Sequence, residues 1–436
     1  MKVTRRKLVM STAAAISAAV WRPRFSVAQS ASAAMTERVH HDLQTHAGFG
    51  LKHSGGDGDN ATAGWVANRL RSAGYNVQVS TFDAPYYLQR AAFVASGDNR
   101  AAVLAQAPVI PTGAAGISAP LALVEAMDGP APATIGDLRG RIALVQAPFG
   151  RHAALSPTRG FGASVLAAAD AGAVAVIIIT TGPTGEAIAL NCPETPFVDV
   201  PVAILAPKDA APFVAAARAG DIATLVTDGD PLTKPCMNVV ARLERGPEWI
   251  AISTPRSGWF HCVAERGTGT AAFLEIADWA RDRFPDKSIF LMNTGGHEYY
   301  FAGSHHALHE APSPAATRAW MHIGATLAAR DAEERNGEWV MLDTADPQRR
   351  VMASKDAAAA AEQGFHGLSG MSPPGLVQPQ AGELSAFTDL GYTNAFAAIG
   401  VHRWFHTLGD TLDCVDARLV VPVIEAHQRT LELILG

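Results

Sequence analysis

Short apolar strands alternate with helices along most of this chain, and this alternation constrains its fold more than any other feature. Residues 173–179 and 289–292 are continuous apolar runs of strand length. Helical patterns at 60–74 and 270–284 place apolar residues on one face. Because a strand that is apolar throughout is covered on both faces, it belongs to a sheet packed between helices. The sequence therefore predicts an α/β fold with a mainly parallel mixed sheet sandwiched by helices.

The length of 436 residues predicts more than one domain. Histidines and clustered carboxylates occur mainly in the outer segments, 31–100 and 233–436, and are scarce in the middle segment, 101–232. We therefore expect one larger α/β domain, built from both outer segments, that is interrupted by a smaller, β-rich α/β insertion at 101–232. The second boundary of this insertion lies between strands predicted at 222–227 and 238–243.

Charge and cysteine content limit the partners of the chain. The net charge is −6, and no run of basic residues follows the N-terminal segment, which argues against a nucleic-acid partner. The cysteines are too few and too scattered for a disulfide scaffold, and their pairing stays open: Cys192, Cys236, Cys262 and Cys414. The expected partner is a small-molecule, peptide or sugar substrate, and the oligomeric state is left open.

The N-terminal segment, 1–30, has the order of a secretory signal. Arg5-Arg6 precede an apolar run at 11–20, and Ser26-Val27-Ala28 resembles a small-residue cleavage site. The paired arginines resemble those of the twin-arginine export signal. The apolar run is shorter than the ~20 residues that a membrane-spanning helix needs. We therefore expect cleavage of the signal and a periplasmic or secreted protein without a stable membrane span.

Polar side chains collect at strand ends and in loops of the outer segments. In an open α/β sheet such side chains meet beyond the carboxyl ends of the strands, and a glycine pair at 295–296 lets the chain turn sharply there. Glutamate and histidine are suited to proton transfer, and arginine to holding an anion. The candidates for catalysis are His297, Glu298, Glu265 and Glu383. The candidates for substrate binding are Arg256, Arg266, Trp259, Tyr299 and His402, and His406 lies in the last polar loop.

Several of these candidates also have an interpretation without chemistry. His297 could be a surface residue beside a helix cap, and Glu265 with Arg266 a buried ion pair that holds a loop. Tyr299 could fill the interface between the domains, and His402 could lie at a rim. The functional hypothesis therefore requires that residues far apart in sequence surround one crevice.

Several motifs resemble those of the zinc aminopeptidases and carboxypeptidases of the transferrin-receptor and glutamate-carboxypeptidase type. The family's Gly-Ala-Glu-Glu and following Gly-Ser resemble residues 295–298 and 303–304, and its His-Thr-Pro-x-Asp-Thr resembles residues 406–411. The middle segment resembles a protease-associated domain through Leu-Arg-Gly at 138–140 and the apolar run at 171–178. The resemblance covers nearly all of the chain after the signal.

This resemblance implies a zinc-dependent hydrolase with two metal ions. The family holds them with two histidines, two aspartates and one glutamate, and uses a second glutamate as general base. Glu298 matches the ligand glutamate and His406 matches the last ligand histidine. His297 stands at the position of the general base.

Other positions of the family's site differ in this chain. The first ligand pair, His-x-Asp, falls on Thr-Pro-Arg at 254–256, the bridging aspartate falls near 264–265, and the remaining aspartate falls near Gly324. Zinc in proteins requires three or four nitrogen, sulfur or oxygen donors. We therefore expect the metal site to be diverged or partly lost.

Three hypotheses for the function follow. In the first, an exported hydrolase rebuilds a zinc site, combining Glu298 and His406 with residues from the set His261, Glu265, His297 and His322. In the second, a hydrolase or lyase works without metal on a sugar-like or acidic substrate, with glutamates and histidines as acid–base groups. In the third, a binding protein retains the peptidase scaffold without catalysis.

Overall fold

The computed structural model describes residues 25–126, 135–158, 160–371 and 382–436, with side chains from residue 32 onward. Most of the predicted signal segment, 1–30, lies outside the described residues, as does the loop predicted at 372–380. Among the described helices, none combines the length and the apolar character that crossing a bilayer requires.

Fourteen strands occur in the described part of the chain. In chain order they are β1 (Asn76–Ser96), β2 (Asn99–Ala105), β3 (Ile117–Glu125), β4 (Ile142–Gln146), β5 (Ala175–Ile179), β6 (Val202–Leu205), β7 (Ile222–Leu243), β8 (Trp249–Pro255), β9 (Ser288–Thr294), β10 (Thr317–Ile323), β11 (Arg330–Arg335), β12 (Glu338–Ala345), β13 (Arg349–Ala353) and β14 (Ala395–Gly400).

The helices of the described residues alternate with these strands. They are α1 (Phe25–Gly48), α2 (Asp57–Ser72), α3 (Gly162–Asp170), α4 (Ala211–Ala219), α5 (Thr268–Arg283), α6 (Ala302–Ala307), α7 (Ala358–Gly364), α8 (Leu384–Thr388) and α9 (Ala417–Leu435). A π-helical turn, Val263–Gly267, leads directly into α5.

Strands β9, β8, β10 and β14 lie side by side in parallel and form the centre of the larger domain. Antiparallel strands β7 and β13 flank them. Ile289 and Leu291 of β9 face a core shared with residues of α1, α2, α5 and α9, whereas Phe290 faces the opposite core with residues of α8. Because both faces of the sheet are covered, its strands are apolar throughout. The predicted fold, a mainly parallel mixed sheet sandwiched by helices, is confirmed.

The two longest strands connect the larger domain with the smaller one. β1 and β7 pair in antiparallel fashion over nearly their whole length, with one register shift between Gln89 and Ala91. The far ends of both strands join β2, β6, β5, β4 and β3, so that this smaller sheet closes on itself through the β1–β7 pairing. Its interior is apolar on both sides of β5, with Ile177 in one core and Ile178 in the other.

β7 corrects the prediction of two separate strands at 222–227 and 238–243. The strand continues through Pro231 and Pro235, and the predicted domain boundary at 232 falls inside it. Proline lacks a backbone N–H and is tolerated where one edge of a strand has no partner. Between its pairing with β3, which ends at Leu225, and its pairing with β9, which begins at Val239, the second edge of β7 is free of strand partners within the described residues.

Candidate functional site

The carboxyl ends of the parallel strands deliver the polar side chains to one edge of the sheet. Arg256 and Ser257 follow β8, and Glu298 follows β9 after the glycine pair. His322 is the penultimate residue of β10, and His406 lies in the loop after β14. This convergence follows from the parallel arrangement, because parallel strands end at the same edge.

A buried arginine lies between two buried glutamates at the centre of this edge. Arg266 Nη2 is 2.8 Å from Glu265 Oε1 and 3.6 Å from Glu298 Oε1. The His406 Nε2 nitrogen lies 3.1 Å from the same oxygen of Glu265. Arg266 also donates through Nε to the backbone carbonyl of Ser257. We call Glu265, Arg266, Glu298 and His406 the arginine cluster.

The second carboxylate oxygen of Glu298 accepts hydrogen bonds from two serine hydroxyls. Ser54 Oγ and Ser257 Oγ each donate to Glu298 Oε2 over 2.7 Å. Neither serine was among the sequence candidates. Ser54 lies 244 positions away along the chain, and no local pattern marks it.

A histidine–glutamate pair adjoins the arginine cluster. His297 Nδ1 lies 2.9 Å from Glu383 Oε2, and His322 Nε2 lies 3.6 Å from the same oxygen. The Ser304 hydroxyl donates to the other oxygen of Glu383. The side chain of His297 is 13% exposed, whereas that of Glu383 is 1% exposed. His297 is therefore the accessible member of a buried network.

Electrostatic interactions keep Glu265 of the arginine cluster and Glu383 of the adjoining pair ionised. Burial acts to raise the pKa of Glu265, but the Arg266 guanidinium and then His406 outweigh it and hold this pKa well below its usual value. Burial likewise opposes ionisation of Glu383, but the hydrogen bond from His297, with smaller contributions from His322, lowers its pKa to about 2. Burial lowers the pKa of His322 to about 4, so its imidazole is neutral at pH 7.

Backbone strain concentrates around the same residues. Cys262, which precedes the π-helical turn, has φ of 51°, and His406 has φ of 59°. Tyr300, Phe301 and Thr326 also lie in the left-handed region, with φ of 48°, 67° and 55°. Residues other than glycine rarely adopt this conformation, and such strain is characteristic of functional sites.

The remaining sequence candidates lie outside this network. Arg256 is fully buried and forms an ion pair with Asp59, with 2.9 Å between Nε and Oδ1. Trp259 donates its indole N–H to Asn191 over 2.8 Å, and the Tyr299 hydroxyl donates to a backbone carbonyl. His402 is fully buried rather than at a rim.

A segment of the smaller domain, residues 189–192, covers the arginine cluster. The Ala189 N–H donates to the His406 carbonyl, and His406 Nδ1 lies 2.9 Å from the Ala189 carbonyl. The Cys192 N–H donates to the Glu298 carbonyl over 3.0 Å. These contacts dock the smaller domain directly on the carboxyl ends of the central strands.

An apolar cleft of about 420 Å³ lies between the two domains. His53 and Tyr299, which line it, are the chain neighbours of Ser54 and Glu298. Further aromatic and aliphatic side chains form its wall and mouth: Tyr86, Tyr87, Leu88, Val109, Trp259, Phe260 and Leu408. Two predicted substrate-binding residues, Trp259 and Tyr299, therefore line one cleft beside the network.

The arginine cluster does not fit the pair of zinc ions that the resemblance implies. The Arg266 guanidinium occupies the space between the two carboxylates, so a divalent cation placed there would be repelled by a fixed positive charge at short range. Thr254, at a ligand position of the family, donates instead to the Ile323 carbonyl. Glu298 and His406, the predicted metal ligands, thus have other partners.

None of the four cysteines, all of which are described, forms a disulfide. In the described residues, one group of side chains has convergent donor atoms suited to a metal: His402, Asp410 and Cys414.

Comparisons with known proteins define the class to which this architecture belongs. Residues 105–213 match the family model of the PA domain. The chain is similar in structure to a peptidase M28 precursor from Shewanella amazonensis SB2B, with a TM-score of 0.69 at 16% identity over 94% of this chain and 97% of that one. Comparison with curated protein sequences finds no significant match.

Two further solved structures share the fold. An aminopeptidase from Aneurinibacillus sp. strain AM-1 matches with a TM-score of 0.66 at 20% identity, covering 91% of this chain and 93% of that chain. BSAP, a zinc aminopeptidase from Bacillus subtilis, matches with a TM-score of 0.66 at 15% identity, covering 90% and 94%. The chain therefore has the aminopeptidase fold with a PA domain, which confirms the resemblance at the level of the fold. Its chemistry follows from its own residues, because fold alone does not specify function.

Proposed function

We propose that the protein is an exported hydrolase with the aminopeptidase fold, in which acid–base side chains replace the two metal ions. The observation that carries this proposal is the pairing of His297 with Glu383. The 2.9 Å contact holds the imidazole through Nδ1, and the ring is the accessible part of an otherwise buried network. A histidine oriented in this way by a carboxylate is suited to act as a general base.

The reaction that this geometry supports is the addition of water to an acyl bond. His297 takes a proton from a water molecule through Nε2, and the resulting hydroxide attacks the carbonyl carbon. As the bond to the leaving group breaks, the imidazolium returns the proton to that group. Glu383 stabilises the imidazolium and keeps the ring in place, while neutral His322 contacts the same carboxylate.

The arginine cluster supplies a fixed electrostatic environment beside this histidine. Glu298 is held by two serine hydroxyls, and Arg266 balances the charge of both cluster carboxylates. Both predicted anion-binding arginines, Arg256 and Arg266, already pair with protein carboxylates. The structure therefore lends no support to an acidic substrate, and the apolar cleft favours a substrate with an aliphatic or aromatic group.

The cellular location is part of the proposal. The twin-arginine motif at Arg5-Arg6 and the small-residue site at 26–28 support export to the periplasm or the medium. We further propose the domain division of the sequence analysis, 31–100 with 233–436 and an insertion at 101–232, which encloses the matched PA range.

The first experiment measures hydrolysis of chromogenic anilides and esters that carry apolar or aryl groups. We expect turnover by the wild-type protein and a loss of about 10²–10⁴-fold in kcat for His297→Gln. Glu383→Gln should show a comparable loss, because the ring loses its orientation. His309→Gln, at an exposed position, is the matched control and should retain full activity.

Treatment with a chelator separates this proposal from a zinc-dependent mechanism. Activity should persist after chelation for as long as the circular dichroism and the melting temperature are unchanged. Loss of activity that zinc restores, together with loss of that zinc in Glu298→Gln, would support the family's metal mechanism instead. Substrate binding without turnover by the wild-type protein would identify a binding protein on a peptidase scaffold.

A further inference from the structure

A second buried polar group lies behind the arginine cluster. His402 and Asp410 come from the loop after β14, and Cys414 closes the short turn before α9. Their exposed fractions are 0%, 1% and 0%, and one donor atom from each lies within 4.8 Å of the other two. None of these residues belongs to the arginine cluster or contacts the His297–Glu383 pair through its side chain.

One nitrogen of His402 has no hydrogen-bond partner among the described residues, although it is fully buried. His402 Nε2 lies 3.6 Å from Asp410 Oδ1, which is too long for a hydrogen bond. Its other nitrogen, Nδ1, lies 3.3 Å from the Thr326 hydroxyl. The imidazole is therefore held at Nδ1, and Nε2, which is near Asp410, remains available to a ligand. Buried polar atoms usually have a hydrogen-bond partner, so an unpaired one requires an explanation, and a bound ion is one such explanation.

We propose that His402 Nε2, Cys414 Sγ and an Asp410 carboxylate oxygen bind one divalent transition-metal ion of the zinc type. An imidazole, a thiolate and a carboxylate are the donors that Zn²⁺ takes in proteins, and the sulfur disfavours Mg²⁺ and Ca²⁺. Binding displaces the Cys414 thiol proton into solvent and replaces the thiol's contact with the Gly409 carbonyl. A water molecule or the second Asp410 oxygen completes a tetrahedron.

The ion would position the turn that carries the arginine cluster. The two carboxylate oxygens of Asp410 accept hydrogen bonds from the backbone N–H groups of Ala264 and Glu265, with lengths of 2.7 and 3.0 Å. A metal bound to Asp410 would hold this carboxylate in place, and with it the π-helical turn Val263–Gly267. The role is structural, and it does not depend on the proposed reaction.

The test uses Co²⁺ as a spectroscopic substitute for zinc. The full-length mature protein is stripped with a chelator and titrated with Co²⁺ alone. We expect a thiolate-to-cobalt charge-transfer band that saturates at one equivalent. Cys414→Ser should abolish the band, and His402→Ala should abolish it or reduce its affinity severely.

Matched controls distinguish this site from the arginine cluster. Cys192→Ser removes another buried free thiol, and Glu298→Gln removes a cluster carboxylate; both should keep the band. A band that survives in Cys414→Ser, or that disappears in Glu298→Gln, would overturn the assignment.

X-ray absorption of the zinc-loaded wild-type protein gives an answer that needs no variant. One sulfur at about 2.3 Å and one imidazole nitrogen at about 2.0–2.1 Å from zinc are expected. A shell of nitrogen and oxygen only, or no zinc at one equivalent, would overturn the proposal.

Discussion

The interiors of the two domains differ in the charge that they bury. Within the described residues of the PA range, the buried polar side chains are all neutral: Gln106, Ser164, Thr180 and Asn191. The larger domain buries ion pairs, among them Arg256–Asp59 and Arg266–Glu265, whose members are 0–1% exposed. The smaller core is held by apolar packing, whereas the larger core also depends on electrostatic compensation.

This difference indicates where the chain performs chemistry. Burying apolar side chains is favourable by itself, whereas each buried charge must recover a desolvation cost of several kcal/mol through its partners. A domain that needed only stability would have no reason to keep such groups. The two fully buried pairs, Arg256–Asp59 and Arg266–Glu265, include the arginine that follows β8 and the arginine of the cluster, and their position supports the proposed site at that edge.

The largest effect is expected from Arg266→Met, which breaks the arginine cluster. Without the guanidinium, Glu265 and Glu298 remain buried and lose the positive charge that lies between them. We expect a loss of about 3–5 kcal/mol in the free energy of unfolding, measured by urea denaturation. Arg283→Met, which breaks a surface pair with Glu432 of 53% and 39% exposure, is the control, with a loss of about 0–1 kcal/mol. Equal losses of unfolding free energy in both variants would show that the buried cluster stabilises the protein no more than the exposed Arg283–Glu432 pair does.

The stability of the smaller domain should depend on apolar packing, so a substitution that creates a cavity should lower its free energy of unfolding. Ile177 is fully buried in the centre of β5. Ile177→Ala should cost on the order of 3 kcal/mol, because it removes apolar contacts and leaves a cavity. Urea denaturation at pH 7 and pH 5 should give the same loss, since no charged side chain of the described PA range is buried. A loss that changes with pH would show that the two interiors are electrostatically coupled.

The pH dependence of stability should come from the larger domain. Burial lowers the pKa of His427 to about 4, below its ordinary value of 6.5. Between these values the unfolded chain binds more protons than the folded one, so the free energy of unfolding rises with pH and is lost as pH falls from about 6.5 towards 4. This histidine contributes about 2 kcal/mol between pH 7 and pH 5.

The measurement is the difference in the free energy of unfolding between pH 7 and pH 5. His427→Leu should reduce this difference, because the uncharged side chain takes up no proton on unfolding. The exposed-site variant His309→Gln should leave it unchanged. A profile in His427→Leu that matches the wild type would show that other groups dominate the acid response.

The architecture was accessible from the sequence because it depends on local patterns. Apolar runs of strand length, helical spacing of apolar residues and the signatures at 138–140 and 171–178 predicted the sheet, its helices and the PA-like insertion. The prediction of two strands at 222–227 and 238–243 was wrong, because β7 continues through Pro231 and Pro235. A proline is visible in the sequence, but its effect on a strand is not. It interrupts the strand only where a neighbouring strand would accept a hydrogen bond from the backbone N–H that proline lacks.

The sequence by itself determined which residue types reach the edge of the sheet, since Glu298, His297 and His406 lie at strand ends that can be located from pattern alone. Only the tertiary structure decided their partners. Arg256 pairs with Asp59, 197 positions away, and Arg266 lies between the two cluster carboxylates. The strength of an ion pair or hydrogen bond depends on the distance between the two groups and on the exclusion of water around them. Both depend on the tertiary structure and cannot be inferred from the order of the residues.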